Sequence, residues 1–366
     1  MSTPTPARAV SPLQGIGLVA EREIMSKLQS RAFVISTLVL FALALVAVVA
    51  GGLTAKQSSD TPVAVTSDAA SFVANVPGLD ITEVTDRAAA ERAVTDESVD
   101  AAVVADAASP TGFTVIAKTS APDSLVMQLA AVPTVTLLEP DTTNPALRYI
   151  VSFGFGLLFL LAASTFGGTI ASSVVEEKQT RIVEILISTV STRTLLAGKV
   201  LGNTVLAIVQ IVGMVAIAVV GLIVTGQTDV LTLLGSAMVW FAIFFLFGFI
   251  LLAALFAAAA SLVSRQEDLG STITPVTMLV MAPYFLVIMF NDNPLVMTIM
   301  SYVPFSAPVG MPMRLFLGEA QWWEPLLSLL ILVVSCVLAI LVGARIYDHS
   351  ILRMGGRVKL AEALKG

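Results

Sequence analysis

Long apolar runs broken by short polar ones set the pattern of this chain. Residues 32–52, 149–172, 200–224, 233–263, 271–290 and 326–346 are each almost continuously apolar. At about 1.5 Å per residue, each is long enough to cross the ~30 Å hydrocarbon core of a bilayer as a helix. The pattern predicts an α-helical polytopic membrane protein with six transmembrane helices. The first run exceeds the ~7–15 apolar residues of a secretory signal core and follows a long lead-in, so it is expected to be a retained anchor.

Two stretches depart from this rhythm. Residues 53–148 alternate short β-prone pieces (62–66, 101–104, 113–117) with helical ones (86–94, 123–131), which predicts a small α/β extracytoplasmic domain between the first two spans. Residues 295–324 are apolar but interrupted by Pro304, Pro308 and Pro312 and carry Arg314. Short helices entering the outer leaflet against protein are expected there, with Trp322 and Trp323 as an interfacial anchor. At the start, residues 1–15 are rich in Pro, Ser and Thr and are expected to be disordered. In 16–31, Ile24, Met25 and Leu28 share a face away from Arg22, Glu23, Lys27 and Arg31. This segment is either an amphipathic interfacial helix or a charged lead-in to the first span.

Composition and charge then orient the bundle. The chain is 56% hydrophobic and 13% charged, against about 25% charged in soluble domains. Arg8, Arg22, Lys27 and Arg31 precede the first span, Lys178, Arg181, Arg193 and Lys199 lie between the second and third, and Arg345, Arg353, Arg357, Lys359 and Lys365 crowd the last 22 residues, 345–366. Residues 53–148 are instead rich in Asp and Glu. The positive-inside rule then places both termini in the cytoplasm, with a basic tail at 348–366. No basic stripe with interleaved aromatics exists, which argues against nucleic acid. The single cysteine, Cys336, lies in an apolar run and excludes an intrachain disulfide or zinc spacing. His349 stands alone after the last span, as an interfacial residue rather than a ligand.

Candidate chemistry gathers in the polar interruption 174–199. On a continuous helix Glu177 and Arg181 stand four apart and Arg181 and Glu184 three apart, a charged stripe whose members can pair. Ile182, Ile185, Leu186 and Thr189 share another face, whose burial needs a partner such as a second protein. Asn203 and Gln210 in the third run either hydrogen-bond between helices or line a pathway. Pro275 and Pro283 in the fifth either kink it statically or lend it mobility. No phosphate loop is present: Ala197-Gly198-Lys199-Val200 lacks the first glycine and the magnesium-binding hydroxyl. No His-Glu-x-x-His or Gly-x-Ser-x-Gly motif occurs, so the chain is expected to be non-catalytic. The spans carry no mid-membrane carboxylate or lysine, which counts against ion coupling.

Residues 176–186, the segment Ala197-Gly198-Lys199-Val200-Leu201-Gly202 and Gln210 together resemble the membrane subunits of ABC-2 type exporters, closest to the branch typified by the sodium-efflux permease NatB. Further likeness lies in Arg22-Glu23, residues 30–33, Pro304-Phe305-Ser306, residues 311–314, Ile346-Tyr347, Leu352 and Gly355, so it covers nearly the whole chain. The resemblance implies a six-helix permease paired with a second permease subunit, identical or different. It also implies cytoplasmic ATP-binding subunits that hold ATP and magnesium, with no cofactor bound by this chain. Glu176, Glu177, Lys178, Arg181 and Glu184 would then couple to the ATPase, and Pro304 and Arg314 would belong to the outer loop. One departure is the absence of a proline near Thr189. The function implied is ATP-driven export, the alternatives being an extracytoplasmic sensor or an ion-coupled antiporter. Sodium, drugs, peptides and lipids all remain open as substrate, with the apolar spans favouring hydrophobic cargo.

Overall fold

A computed structural model of the protein describes residues 11–56, 61–74, 76, 78–118, 125–126, 129, 145–353, 358 and 360–365. It divides into two compact units, one of residues 1–49 with 142–366 and one of residues 50–141.

The first unit is helical: α1 (Pro12–Leu28), α2 (Arg31–Lys56), and, after the second unit in the chain, α5 (Pro145–Gln179), α6 (Ile182–Ile187), α7 (Thr192–Val224), α8 (Thr228–Ser261), α9 (Gln266–Met289), α10 (Pro294–Tyr302), α11 (Ala307–Phe316), α12 (Glu324–Ser350) and α13 (Leu360–Lys365). Among the described residues six helices, α2, α5, α7, α8, α9 and α12, are long and apolar enough to cross a membrane. The protein is therefore a polytopic helical membrane protein, as the apolar runs predict.

The helices overrun the apolar runs, because polar caps and lysines extend them. Ser11 caps α1, its Oγ accepting from the Gln14 amide while the Gln14 side chain accepts from the Ser11 amide. With Pro12 in the first turn, this is a strong helix start. Residues 12–15, expected to be disordered, are thus helical, and residues 1–10 lie outside the described residues. The face that α1 buries is Gly15, Val19, Ala20 and Glu23, while Met25 and Leu28 are exposed. It packs along α7, where a methyl on Gly198 would lie 2.4 Å from Val19 Cβ and one on Gly202 2.8 Å from the Ala20 carbonyl oxygen. Small residues four apart let the two backbones approach.

The hub of the bundle is α8, which packs against α5, α7, α9, α11 and α12. Its seam with α5 is aromatic: Phe155 stacks on Phe241 at 4.7 Å, Phe159 meets Phe245 edge-on at 5.9 Å, and Phe166 meets Phe249 edge-on at 6.0 Å. Each such pair contributes about 0.5–1.5 kcal/mol beyond area burial. Gly167 opposes Phe256 and Gly156 opposes Tyr284 too closely for any side chain. By contrast the spanning stretch of α2 is unburied within the chain, leaving its apolar surface for lipid or another subunit.

The short helices α10 and α11 are joined by a turn holding Pro304, with Pro312 inside α11. Arg314 of α11 is buried and donates to both carboxylate oxygens of Glu324 (2.9 and 3.2 Å), to Ser301 Oγ and to the Glu319 carbonyl. Tyr302 and the Gln321 amide donate to the same carboxylate.

The second unit carries a four-stranded sheet ordered β2-β1-β3-β4 from β1 (Thr61–Thr66), β2 (Leu79–Val84), β3 (Ala101–Ala105) and β4 (Phe113–Ile116). β1 pairs parallel with β2 and β3, and β4 runs antiparallel to β3. α3 (Ala70–Val73) contributes Val73 to the apolar cluster on one face, with Leu125 and Leu129, and α4 (Arg87–Thr95) contributes Ala90 and Val94 to the other. Of the helix expected at 123–131, residues 125, 126 and 129 are helical and the rest lie outside the described residues.

Candidate functional site: a buried ion-pair cluster beside a short exposed helix

The polar interruption does not form one helix. α5 ends at Gln179, and Arg181 adopts a left-handed conformation, φ 59°, before α6 begins. A non-glycine residue rarely adopts this backbone, and it changes the direction of the chain. The stripe Glu177–Arg181–Glu184 is therefore split. Arg181 and Glu184 are exposed and make no ion pair among the described residues, whereas Glu177 points into the protein.

Glu177 meets two cations from elsewhere in the chain. Arg22 of α1 donates to its Oε1 at 2.6 Å, and Lys199 of α7 lies 3.0 Å from its Oε2, a contact outside hydrogen-bond alignment and therefore electrostatic. Lys199 is fully buried and also donates to Glu23 Oε1 at 2.9 Å and to Ser173 Oγ. Two carboxylates and two cations thus balance inside one cluster that ties α1, α5 and α7 together. Ions out of water persist only when paired in this way. A polar cavity of about 600 Å³ adjoins it, lined by Glu176 together with Arg22, Lys27, Thr169 and Ser172.

Lys178, the next residue, is also fully buried but has no carboxylate. Its Nζ donates to the carbonyls of Ser261 (2.7 Å) and Ser350 (2.8 Å), the last residues of α8 and α12. Helix C-termini carry unpaired carbonyls and partial negative charge, so a cation is stabilised there.

Beyond the left-handed residue, α6 buries Val183 and leans Leu186 and Ile187 on the core, but Ile182 and Ile185 face outward, Ile185 being 69% exposed. The turn after it is closed by hydroxyls: Ser188 donates to the Ile185 carbonyl and Thr189 to that of Leu186. Ser191 then caps α7, and Asp348 of α12 accepts from Thr192 Oγ1 and from Arg193 Nε (3.0 Å).

The remaining sequence candidates are dispersed. Asn203 is buried in α7, its amide donating to the Lys199 carbonyl one turn earlier, and Gln210 lies buried two turns further on. Pro275 and Pro283 lie within α9, which packs on α5 and α8. Among the described residues no three His, Cys, Asp or Glu side chains gather as metal ligands. Sequence reasoning missed Arg22, Glu23, Ser173 and Lys199 as members of the cluster. The available signal was Lys199, placed directly before the third apolar run, with Glu177 a little past the second.

Six helices long and apolar enough to cross a membrane, with an aromatic seam between α5 and α8 and a polar cluster joining α1, α5 and α7, define a multi-pass membrane protein. The chain belongs to the ABC-2 family transporter proteins, whose family model matches residues 31–345. It is similar to the uncharacterized protein MJ1024 of Methanocaldococcus jannaschii, 29% identical over 221 residues, which are 60% of this chain and 54% of that protein. It is also similar to the uncharacterized protein YhaP of Bacillus subtilis, 30% identical over 234 residues, 60% of this chain and 56% of that protein. The chain spans about half the length of the curated relatives it matches. No solved structure matches it.

Proposed function

We propose that this chain is the permease of an ATP-driven exporter in a bacterial inner membrane, with both termini cytoplasmic. A separate ATP-binding subunit, carrying ATP and magnesium, docks on α6, and a second permease subunit completes the pathway. The observation that carries this reading is the exposed Ile182–Ile185 face with the unpaired Arg181 and Glu184 beside it. An apolar helix face rimmed by free charges suits a groove on a partner protein. The cluster at Glu177 and Lys178 then links that docking point to α1, α7, α8 and α12. The Lys and Arg bias supports the cytoplasmic placement of this end. The motif likeness to NatB-like permeases makes sodium one candidate cargo, and the apolar spans suit an amphipathic one.

The test is co-purification with an ABC ATP-binding subunit co-expressed with the chain. Ile182→Ser with Ile185→Ser leaves the permease folded, because both positions are exposed, and is expected to abolish retention of the ATPase. Full retention and unchanged transport in that variant would remove α6 as the docking element.

A further inference from the structure

A second cavity, of about 1240 Å³, lies between α1, α7, α8 and α12. Its chemistry is graded along its length. At one end stand Ser191, Arg193, Thr194, Arg345, Asp348 and His349. From there the walls are apolar: Leu196, Val205 and Val209 of α7, Leu246 and Ile250 of α8, and Leu341 of α12. The one hydroxyl among them on α7, Thr204, is satisfied by the Val200 carbonyl of its own helix. Val205, Val209 and Leu341 are exposed, so the groove opens sideways, toward the surroundings of the spanning helices.

From Leu196 to Val209 the apolar wall runs about 20 Å at 1.5 Å per residue, enough to line one leaflet of a ~30 Å hydrocarbon core. At the polar end the charges do not cancel. Asp348 is taken by Arg193 and Thr192. Arg345 is exposed and makes no ion pair among the described residues, and His349 turns Nδ1 to the Ala363 carbonyl. The amino-terminal end of α7, a helix of 33 residues, adds its partial positive charge. The end of the groove therefore favours an anion.

We propose that this groove binds one anionic phospholipid. Its phosphate sits against Arg345, Arg193 and the first turn of α7, and an acyl chain lies along Leu196–Val209. Basic pockets between membrane helices are recognition sites for anionic headgroups. A helix from a second copy of the chain would cover the same apolar wall, but would leave the unpaired arginine at its end unexplained. The inference rests on the chain being membrane-embedded and not on the docking of an ATPase at α6, so the two stand or fall separately.

The experiment is native mass spectrometry of the full chain in detergent, titrated with phosphatidylglycerol or phosphatidylcholine. The first phosphatidylglycerol is expected to bind more tightly than phosphatidylcholine. Arg345→Gln, an exposed substitution, is expected to weaken it about fivefold, the scale of one basic residue at a lipid headgroup. Val205→Trp fills the groove and is expected to remove the first adduct of both lipids. Equal binding of the two lipids by the unaltered chain would overturn the proposal, as would a preference that both variants leave intact. Loss of a dimer in Val205→Trp with lipid binding unchanged would overturn it in favour of a second copy.

Discussion

Lys199 and Glu23 meet at 2.9 Å although 176 positions separate them in the chain. The lysine is fully buried and holds Glu177 on its other side, so α1 and α5 are fastened to α7 through one ammonium group.

Lys199→Ala leaves the buried Glu23 without its cation and the buried Glu177 with only the half-exposed Arg22. Removing one partner from a buried pair costs about 3–5 kcal/mol, so a large drop in the melting temperature of the purified protein is expected. Lys199→Arg keeps the charge and is expected to fall between the two. A melting temperature unchanged by the alanine would mean that water already reaches the cluster.

The glycines that bring α1 to α7 make a separate prediction. Gly202→Val places a branched side chain where a single Cβ already comes within 2.8 Å of the Ala20 carbonyl oxygen and 3.0 Å of Glu23 Cβ. Tryptic cleavage at Arg22 and Lys27 is expected to speed up markedly as α1 lifts. Gly17→Ala, with open space around its Cβ, serves as the control.

On the other short helical segment, Arg314 and Glu324 form a buried bidentate pair with Ser301 and Tyr302 around it. Arg314→Met alone is expected to destabilise by about 3–5 kcal/mol, and Arg314→Met with Glu324→Leu by much less, since an apolar replacement of a whole pair is often neutral. A thermal-melt comparison of the single and double variants decides between these outcomes. Additive losses would show that the two side chains act independently.

In the second unit, the Asp106 carboxyl accepts from the Ala108 amide and from Thr114 Oγ1, and these bonds hold its pKa below the usual carboxylate value. A depressed carboxylate contributes stability that is complete above its unfolded pKa and lost as pH falls through the folded one. Amide exchange at Ala108 is therefore expected to accelerate in acid below that value, and Asp106→Asn is expected to remove the pH dependence. Exchange that stays pH-independent in the native chain after correction for intrinsic rates would refute it.

The membrane architecture was legible because spanning helices announce themselves by length and apolarity alone. β1, β3 and β4 were legible by their β-prone runs. β2 was not: its Asp80, Thr82 and Glu83 are exposed on a sheet edge, so Leu79–Val84 lacks the apolar run that marks a buried strand. The charged stripe failed for two physical reasons. Helical spacing assumes an unbroken helix, and Arg181 breaks it. Spacing also sees only local partners, whereas Glu177 found Arg22 at a separation of 155 residues.

Lys178 stands where three helices end together. Its ammonium pins the carbonyl ends of α8 and α12 to the end of α5, and three residues later the backbone reverses hand at Arg181. The segment is thus held at its root by Lys178 and, past the turn at Arg181, by Val183, Leu186 and Ile187 against the core. Three helix ends share a single cation, so losing the Lys178 side chain would take a donor from the last carbonyls of α8 and α12 together.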